Sequence, residues 1–247
     1  MRARWFVLAL IIAPFQSRQA DPVAAPPGES YHYKAEWRLI HAGDVKLSRS
    51  RTASGWQARL QLQSAGLVSL LYRVDDLYLA QFGEELCAAG STLNAREGSR
   101  HRETRITYDS ERGKASYVER DLRRNSNLAS HEIDVPPCVH EIVGGLHRLR
   151  ALRLPAGKST EIPLTDGKRS VSARVEAQQR ESVETPAGRF NTIRYEAFLF
   201  NDVLYRRSGR LHIWLTDDER RVPVQIRARL QFPIGTITLQ LMKEDAK

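Results

Sequence analysis

Apolar residues recur at every second position through most of this chain. In Val222, Val224, Ile226, Ala228, Leu230 and Phe232 they alternate with Pro223, Gln225, Arg227, Arg229 and Gln231. That period predicts one long strand with a core face and a wet face. Pro233 to Gly235 read as a turn, and Ile237, Leu239 and Leu241 alternate against Thr236, Thr238 and Gln240, which completes a hairpin. The same alternation recurs at Leu60 and Leu62, at Ile106 and Tyr108, at Val171, Ala173 and Val175, and at Leu211, Ile213 and Leu215. Turn signals stand between them at His41-Ala42-Gly43-Asp44, Ser54-Gly55, Ser110 to Gly113, Thr165-Asp166-Gly167 and Pro186-Ala187-Gly188. About ten to twelve strands follow, joined mainly as antiparallel neighbours.

One segment has a different period. Val139, Ile142, Val143, Leu146, Leu149 and Leu152 fall at spacings of three and four, which puts them on one face of a helix from Val139 to Leu152. Pro136-Pro137 precede it and Pro155-Ala156-Gly157 close it. Gly144-Gly145 each cost about 1 kcal/mol against alanine, so that turn is expected to approach another backbone closely. The fold class is therefore mainly β: an antiparallel curved sheet or partly open β-barrel with one amphipathic helix, packed on the concave face or across one barrel end.

The N-terminal segment sets the expected compartment. Arg2 and Arg4 precede an apolar run from Trp5 to Ile12, with Pro14 after it, the pattern of a secretory signal. Residues 1–20 read as the signal peptide, with cleavage between 20 and 25. Residues 21–30, with Pro22, Pro26, Pro27 and Gly28, read as a flexible leader, and residues 31–243 as a single β-rich domain. The apolar run is shorter than the roughly 20 residues a spanning helix needs, so no transmembrane helix is expected after cleavage. No cysteine lies near the cut, which excludes a lipid-modified N-terminus at that point, and a periplasmic or exported location is expected.

Charge and composition then narrow the partners. The 247 residues, 41% hydrophobic and 27% charged, suit a globular chain and not a collagenous or disulfide-dense one. Lys+Arg 38 against Asp+Glu 29 give +9, which first suggests nucleic acid, an anionic membrane or a polyanionic glycolipid. Cleavage after Ala20 would remove Arg2, Arg4 and Arg18 and lower the excess to +6, and export argues against nucleic acid. The densest basic stretch runs from Arg96 to Arg124, interleaved with Glu103, Glu119 and Asp121, and reads as a solvated face. Within it, Arg102 and Arg105 are candidates for meeting an anionic headgroup.

Candidate chemistry is sparse. Cys87 and Cys138 are the two cysteines, and in an oxidising compartment they are candidates for a disulfide closing a loop of about fifty residues, worth roughly 4 kcal/mol in the chain-entropy model. The alternative is a Cys138 thiolate at the start of the helix, although no C-x-x-C partner stands beside it. Trp214 is a candidate for a ligand mouth or for wall packing. Asp217-Asp218-Glu219-Arg220-Arg221 offers paired carboxylates but reads more simply as a charged turn. His140 and His147 are expected on one helix face, about 10.5 Å apart along the axis and so too far to share an ion. The sequence shows no H-E-x-x-H, G-x-S-x-G or Gly-rich phosphate loop, and no catalytic residue, metal ligand or cofactor is assigned.

Four pieces in order carry a family resemblance. They are Tyr33-x-x-x-Trp37 followed by Ala42-Gly43; Glu181-x-Val183-x-Thr185-x-x-Gly188-x-Phe190; Trp214-Leu215-Thr216-Asp217-Asp218 with Arg221-Val222-Pro223-Val224; and Gly235-x-Ile237-Thr238-x-x-Leu241. Together they resemble the exported bacterial proteins of domain of unknown function 3108, over about Tyr31 to Leu241. The resemblance implies a β-rich periplasmic protein and brings no established reaction. Three function classes are then expected in this order: a non-catalytic carrier or binding protein for a lipid or other amphiphile, an envelope assembly factor acting through protein partners, and a hydrolase whose site is nonlocal.

Overall fold

The computed structural model describes residues 28–233 and 235–242; the expected signal segment, its cleavage region and the leader as far as Pro27 lie outside the described residues. The strands are β1 (Glu29–Trp37), β2 (Ile40–Thr52), β3 (Gly55–Ser64), β4 (Val74–Phe82), β5 (Ala88–Glu97), β6 (Arg100–Asp109), β7 (Lys114–Asp121), β8 (Ser126–Asp134), β9 (Ser159–Thr165), β10 (Ser170–Thr185), β11 (Gly188–Ala197), β12 (Gly209–Thr216), β13 (Pro223–Leu230) and β14 (Thr236–Leu241). Two helices interrupt them, α1 (Gly66–Leu71) and α2 (Ile142–Leu152). All fourteen strands share one antiparallel sheet in the order β8-β7-β6-β5-β4-β3-β2-β1-β14-β13-β12-β11-β10-β9.

That order describes two meanders joined at the chain's ends. β1 to β8 run outward as successive hairpins, β9 to β14 run back, and β14 pairs with β1, with Tyr33 opposite Leu241 and Trp37 opposite Ile237. β8 and β9 are the two edges, so the barrel is open along a seam. Side chains and a strap close it where the ladder does not. The φ of Gly167 is +82°, and a Cβ there would meet Ile106 at 2.5 Å and Tyr117 at 2.9 Å, so the β9–β10 turn packs directly on β6 and β7. The strap is the segment before α2, where Ala88 N donates to Val139 O (2.8 Å), His140 N to Pro163 O (2.9 Å) and Thr165 N to His140 O (3.0 Å).

The alternation seen in the sequence explains the core. Tyr31, Tyr33, Ala35, Val45, Leu47 and Phe82 form one buried cluster with Val143 of α2. Ile162, Leu164, Val175, Ile193, Tyr195 and Ile213 form a second with Leu149. Leu146 of α2 packs against both, so the helix is the wedge between the two halves of the sheet.

Several expectations need correction. Among the described residues the strands number fourteen, because β4, β5, β7 and β8 carry weak or mixed alternation. The helix begins at Ile142, with Glu141 as its N-cap; Val139 and His140 are extended. The short α1 was not expected. The first turn is Arg38-Leu39, ahead of the Gly43 signal, with φ of 49° and 70°, a left-handed pair that glycine and asparagine usually occupy. Residues assigned to the leader are structural: Glu29 opens β1 with its side chain almost wholly buried. Phe232 is 85% exposed and not a core residue.

Candidate functional site

The concave face holds two buried polar clusters, one at each end of α2. At the N-terminal end the Glu141 carboxylate accepts from Val143 N (2.7 Å) and Gly144 N (2.5 Å), and Tyr78 donates its hydroxyl at 3.0 Å. This caps the otherwise unpaired first amides of the helix. A Cβ on Gly144 would meet Glu141 Oε1 at 2.7 Å and one on Gly145 would meet Leu164 at 2.5 Å. The glycine pair therefore admits side chains most tightly, and the expected second backbone is the Leu86 carbonyl, 3.6 Å from the same Gly144 position. Burial pushes Glu141 up to about 7 despite the two amides and Tyr78 that favour its ionised form.

At the other end Arg150 grips Glu29. Its Nη1 donates to Oε1 at 2.5 Å and its Nη2 to Oε2 at 2.9 Å, the bidentate fork that arginine offers a carboxylate. Arg150 also donates to the carbonyls of Arg220 (3.1 Å) and Arg221 (2.9 Å) and to the Tyr31 hydroxyl (3.2 Å). Arg49 adds an ion pair to Glu29 at 3.4 Å and stacks over Trp56. Burial raises the Glu29 carboxyl, but Arg150 and Arg49 more than reverse this and bring it to about 2. His147 accepts from Arg150 at 3.3 Å and leaves Nε2 without a partner. Burial, then the charges of Arg150 and Arg49, hold its pKa down to about 3.

These groups predict an acid limit with a definite sign. His147 and Glu29 have depressed folded values, so the unfolded chain binds more protons than the folded one below about 6.5 and 4.5 respectively, and stability falls on acidification. Glu141 has a raised folded value, so its contribution is greatest below 4.5 and is lost as pH rises through about 7. Between about pH 4.5 and 6.5 the His147 and Glu141 effects oppose each other. Asp76, raised to about 6, adds to the Glu141 side and His140 and His212, lowered by burial, to the His147 side, so urea denaturation against pH should show a plateau there and, below it, a loss of about 2 kcal/mol per pH unit. Glu141→Gln should turn the plateau into a rise with pH, and an unchanged profile in that variant would refute the assignment.

Above α2 the same concave face is apolar and only half-buried. Register places Leu60, Tyr78 and Leu93 in one row with Leu47, and Leu62 beside Val45. Across β14 to β12, Leu239, Ile226 and Ile213 share a face with Ala35. Rows nearer the strap are buried (Arg49, Ala58, Ala80, Ser91, Ile106), whereas Leu60, Leu62, Leu93, Leu211, Ile226 and Leu239 retain partial exposure. Asp76 stands in this wall, where burial pushes its carboxyl up to about 6, above the pull of the Arg96 amide.

The residues singled out in the sequence do not converge. Trp214 is buried on the convex face, opposite Ile213 and Leu215, where the curled end of the β10–β11 hairpin covers it. Its indole donates to Glu181 at 2.5 Å, Arg227 lies over the ring, and Ala187 N reaches Leu241 O at 3.0 Å. Arg102 lies on the concave side and pairs with Glu119 at 2.9 Å; Arg105, three residues on, points to the other face and meets Glu103 at 3.5 Å. Cys87 and Cys138 are disulfide-bonded, with Cα atoms 4.8 Å apart. Glu85 lies near both sulfurs, which are engaged with each other and so are not thiolate ligands. Asp217 to Arg221 form the β12–β13 turn, in which Asp218 accepts from Thr216 Oγ1 and the amides of Arg220 and Arg221. With Arg153 the turn lines an open polar cavity of about 220 Å³.

His140 and His147 share no helix face, and both are buried: His140 precedes α2 and bonds the Leu86 carbonyl at 2.7 Å. Sequence reasoning missed the Glu29–Arg150–His147 cluster, although a signal existed: His147 and Arg150 fall four and seven residues after Val143, on the helix's apolar stripe.

A family model described as "Protein of unknown function (DUF3108)" matches residues 32–242. No curated protein matches the chain. Among solved structures, the beta-barrel-like protein of domain of unknown function DUF1849 from Brucella abortus is similar, at 10% identity and a TM-score of 0.56, covering 88% of this chain and 96% of that one. A DUF1089 family protein from Pseudomonas aeruginosa aligns at 12% identity over 90% of this chain and 95% of its own, with a TM-score of 0.33. The first likeness shows the fold alone.

Proposed function

We propose, for a chain that belongs to the DUF3108 family of proteins of unknown function and so inherits no reaction from it, a role as a non-catalytic, exported binding protein for a lipid or similar amphiphile of the cell envelope. One observation carries the reading. The concave wall above α2 is built from leucine and isoleucine that the fold leaves half-exposed, while the same face beside the strap is fully buried. A soluble chain that keeps apolar surface inside a concave wall has a place for an apolar ligand. α2 fills the floor and is pinned at both ends, so the ligand meets the wall and does not replace the helix. The signal pattern at Arg2 to Ile12 supports the compartment.

The test is uptake. The chain purified without detergent should carry extractable lipid and bind a fluorescent fatty acid, and Leu62→Arg, which puts a charge in the wall at a half-exposed position, should weaken binding by about tenfold or more with an unchanged circular dichroism spectrum. Lipid-free protein that takes up no fatty acid would sink the reading.

A second reading, an assembly factor acting through a protein partner, is favoured by β8. This nine-residue edge strand is paired on one side only, by β7, and leaves the other side open to strand addition. Crosslinks from Leu128 to a partner chain, without lipid uptake, would favour it.

A further inference from the structure

In an antiparallel meander every second connection falls at the same end of the sheet. Here one end gathers the turns β1–β2, β3–β4, β5–β6, β7–β8, β11–β12 and β13–β14, while β9–β10, which starts from the same end, folds across the seam onto Ile106 and Tyr117. The eight large apolar side chains that stand exposed among the described residues all belong to that end. Leu39 (92% exposed), Phe232 (85%), Leu67, Leu70, Leu71 (both 83%) and Tyr72 lie in its connections, Ile40 opens β2 there, and Leu128 is three residues into β8 from the same end. Leu39 is also held at φ 70°, a conformation that a bulky side chain rarely adopts. α1 offers none of its residues to the core, so its leucines are not packing residues.

The charges at this end complement the apolar group. The same turns carry exposed Arg38, Arg73, Arg123, Arg124, Arg206 and Arg207, against Asp202. The opposite end, with the 83–87, 110–113 and 217–221 connections, presents Glu84, Glu85, Glu111, Asp217, Asp218 and Glu219 against Arg112 and Arg220, with Arg153 beside the last turn, and none of the exposed large apolar side chains. The molecule is therefore polarised along the barrel axis, apolar and basic at one rim and acidic at the other.

We propose that this rim docks the protein onto an anionic lipid bilayer, with Leu39, Leu67, Leu70, Leu71 and Phe232 entering the headgroup region and the arginines meeting lipid phosphates. Exposed aliphatic and aromatic tips ringed by arginine are what an interfacial anchor needs: apolar area to bury and positive charge to hold it there. A protein partner would be expected to bury a flatter and more continuous face; here the apolar side chains stand on separate turns around the mouth of the concave wall. The rim consists of residues outside that wall, so the proposal does not rest on the carrier reading.

Vesicle co-sedimentation of the full chain tests it, with vesicles of phosphatidylcholine alone and of phosphatidylcholine mixed with phosphatidylglycerol. The apolar run Trp5 to Ile12 is present in every variant and so does not distinguish them. Wild type should bind the anionic vesicles preferentially and release them as salt rises. Leu70→Asp with Leu71→Asp, and separately Arg206→Glu with Arg207→Glu, should each weaken binding by about tenfold or more, while Arg59→Glu on the convex face should leave it unchanged. These side chains are exposed, so melting temperatures should stay within a few degrees of wild type. Failure of wild type to bind, or equal binding by the rim variants, would overturn the proposal. So would self-association of wild type abolished by the Leu70/Leu71 pair, which would assign the rim to a second copy. A chain that takes up fatty acid yet ignores vesicles would keep the wall reading and lose the rim.

Discussion

Replacing Arg150 by methionine is expected to lower the free energy of unfolding by about 3–5 kcal/mol, the range seen when one partner of a buried ion pair is removed. The loss is large because Arg150 serves five neighbours at once. Without it, the Glu29 carboxylate keeps the Tyr31 hydroxyl at 2.8 Å and, as charged partner, Arg49 at 3.4 Å, and the carbonyls of Arg220 and Arg221 lose a charged donor at the turn that closes β12 onto β13. Urea denaturation near pH 7 measures it. Adding Glu29→Gln to the same chain should recover a substantial part, because the orphaned charge disappears with the carboxylate. A single-variant cost below about 1 kcal/mol would show that this pair behaves like a surface salt bridge.

Removing the Cys87–Cys138 bridge is expected to cost a similar amount, about 4 kcal/mol for a loop closed over a separation of 51 residues. Against a typical total of about 5–15 kcal/mol this is a large share. The bridge fixes the β4–β5 connection to the segment that leads into α2 and straps the edge of β9. Cys87→Ser with Cys138→Ser should therefore also expose the amides of His140 and Thr165, which bond across that strap, to faster hydrogen exchange than the amides of β1 and β2. Uniform acceleration throughout the sheet would mean that the bridge acts on the whole fold and not on the strap.

How far the sequence led can be judged from particular residues. Period-two alternation located β3, β6, β10, β12, β13 and β14, because each has one wet and one buried face. It failed for β8, whose half-buried face is Ala129, His131 and Ile133 while Leu128 stands exposed, and for β5, where small and polar residues line much of the strand. The Arg38-Leu39 turn was hidden because its left-handed backbone is occupied by residues that ordinarily avoid it, and the nearby Gly43 gave the louder signal. Glu29 was hidden by the proline-rich stretch before it; its partner Arg150 lies 121 positions away, and no local pattern reports such a contact. The polar residues on the buried stripe of α2 were legible, though reading them required asking why an apolar face should carry His147 and Arg150 at all. The alternation of Leu211, Ile213 and Leu215 puts Trp214 on the other face of β12, but what covers it, a hairpin tip curling back from β10 and β11, is a tertiary event.

The open seam also changes what can move. In a closed barrel the number of strands and their stagger fix the radius, and widening it means breaking ladder hydrogen bonds. Here β6, β7 and β8 hang beyond the strap, held across the gap by the packing of Gly167 on Ile106 and Tyr117 and by Lys168 near Glu119 at 3.7 Å. Swinging that flap outward breaks side-chain contacts and leaves the strand ladder whole. The girth of this protein is thus set not by a closed ladder but by the strap, its disulfide and the packing of Val139 and Gly167 on Ile106 and Tyr117.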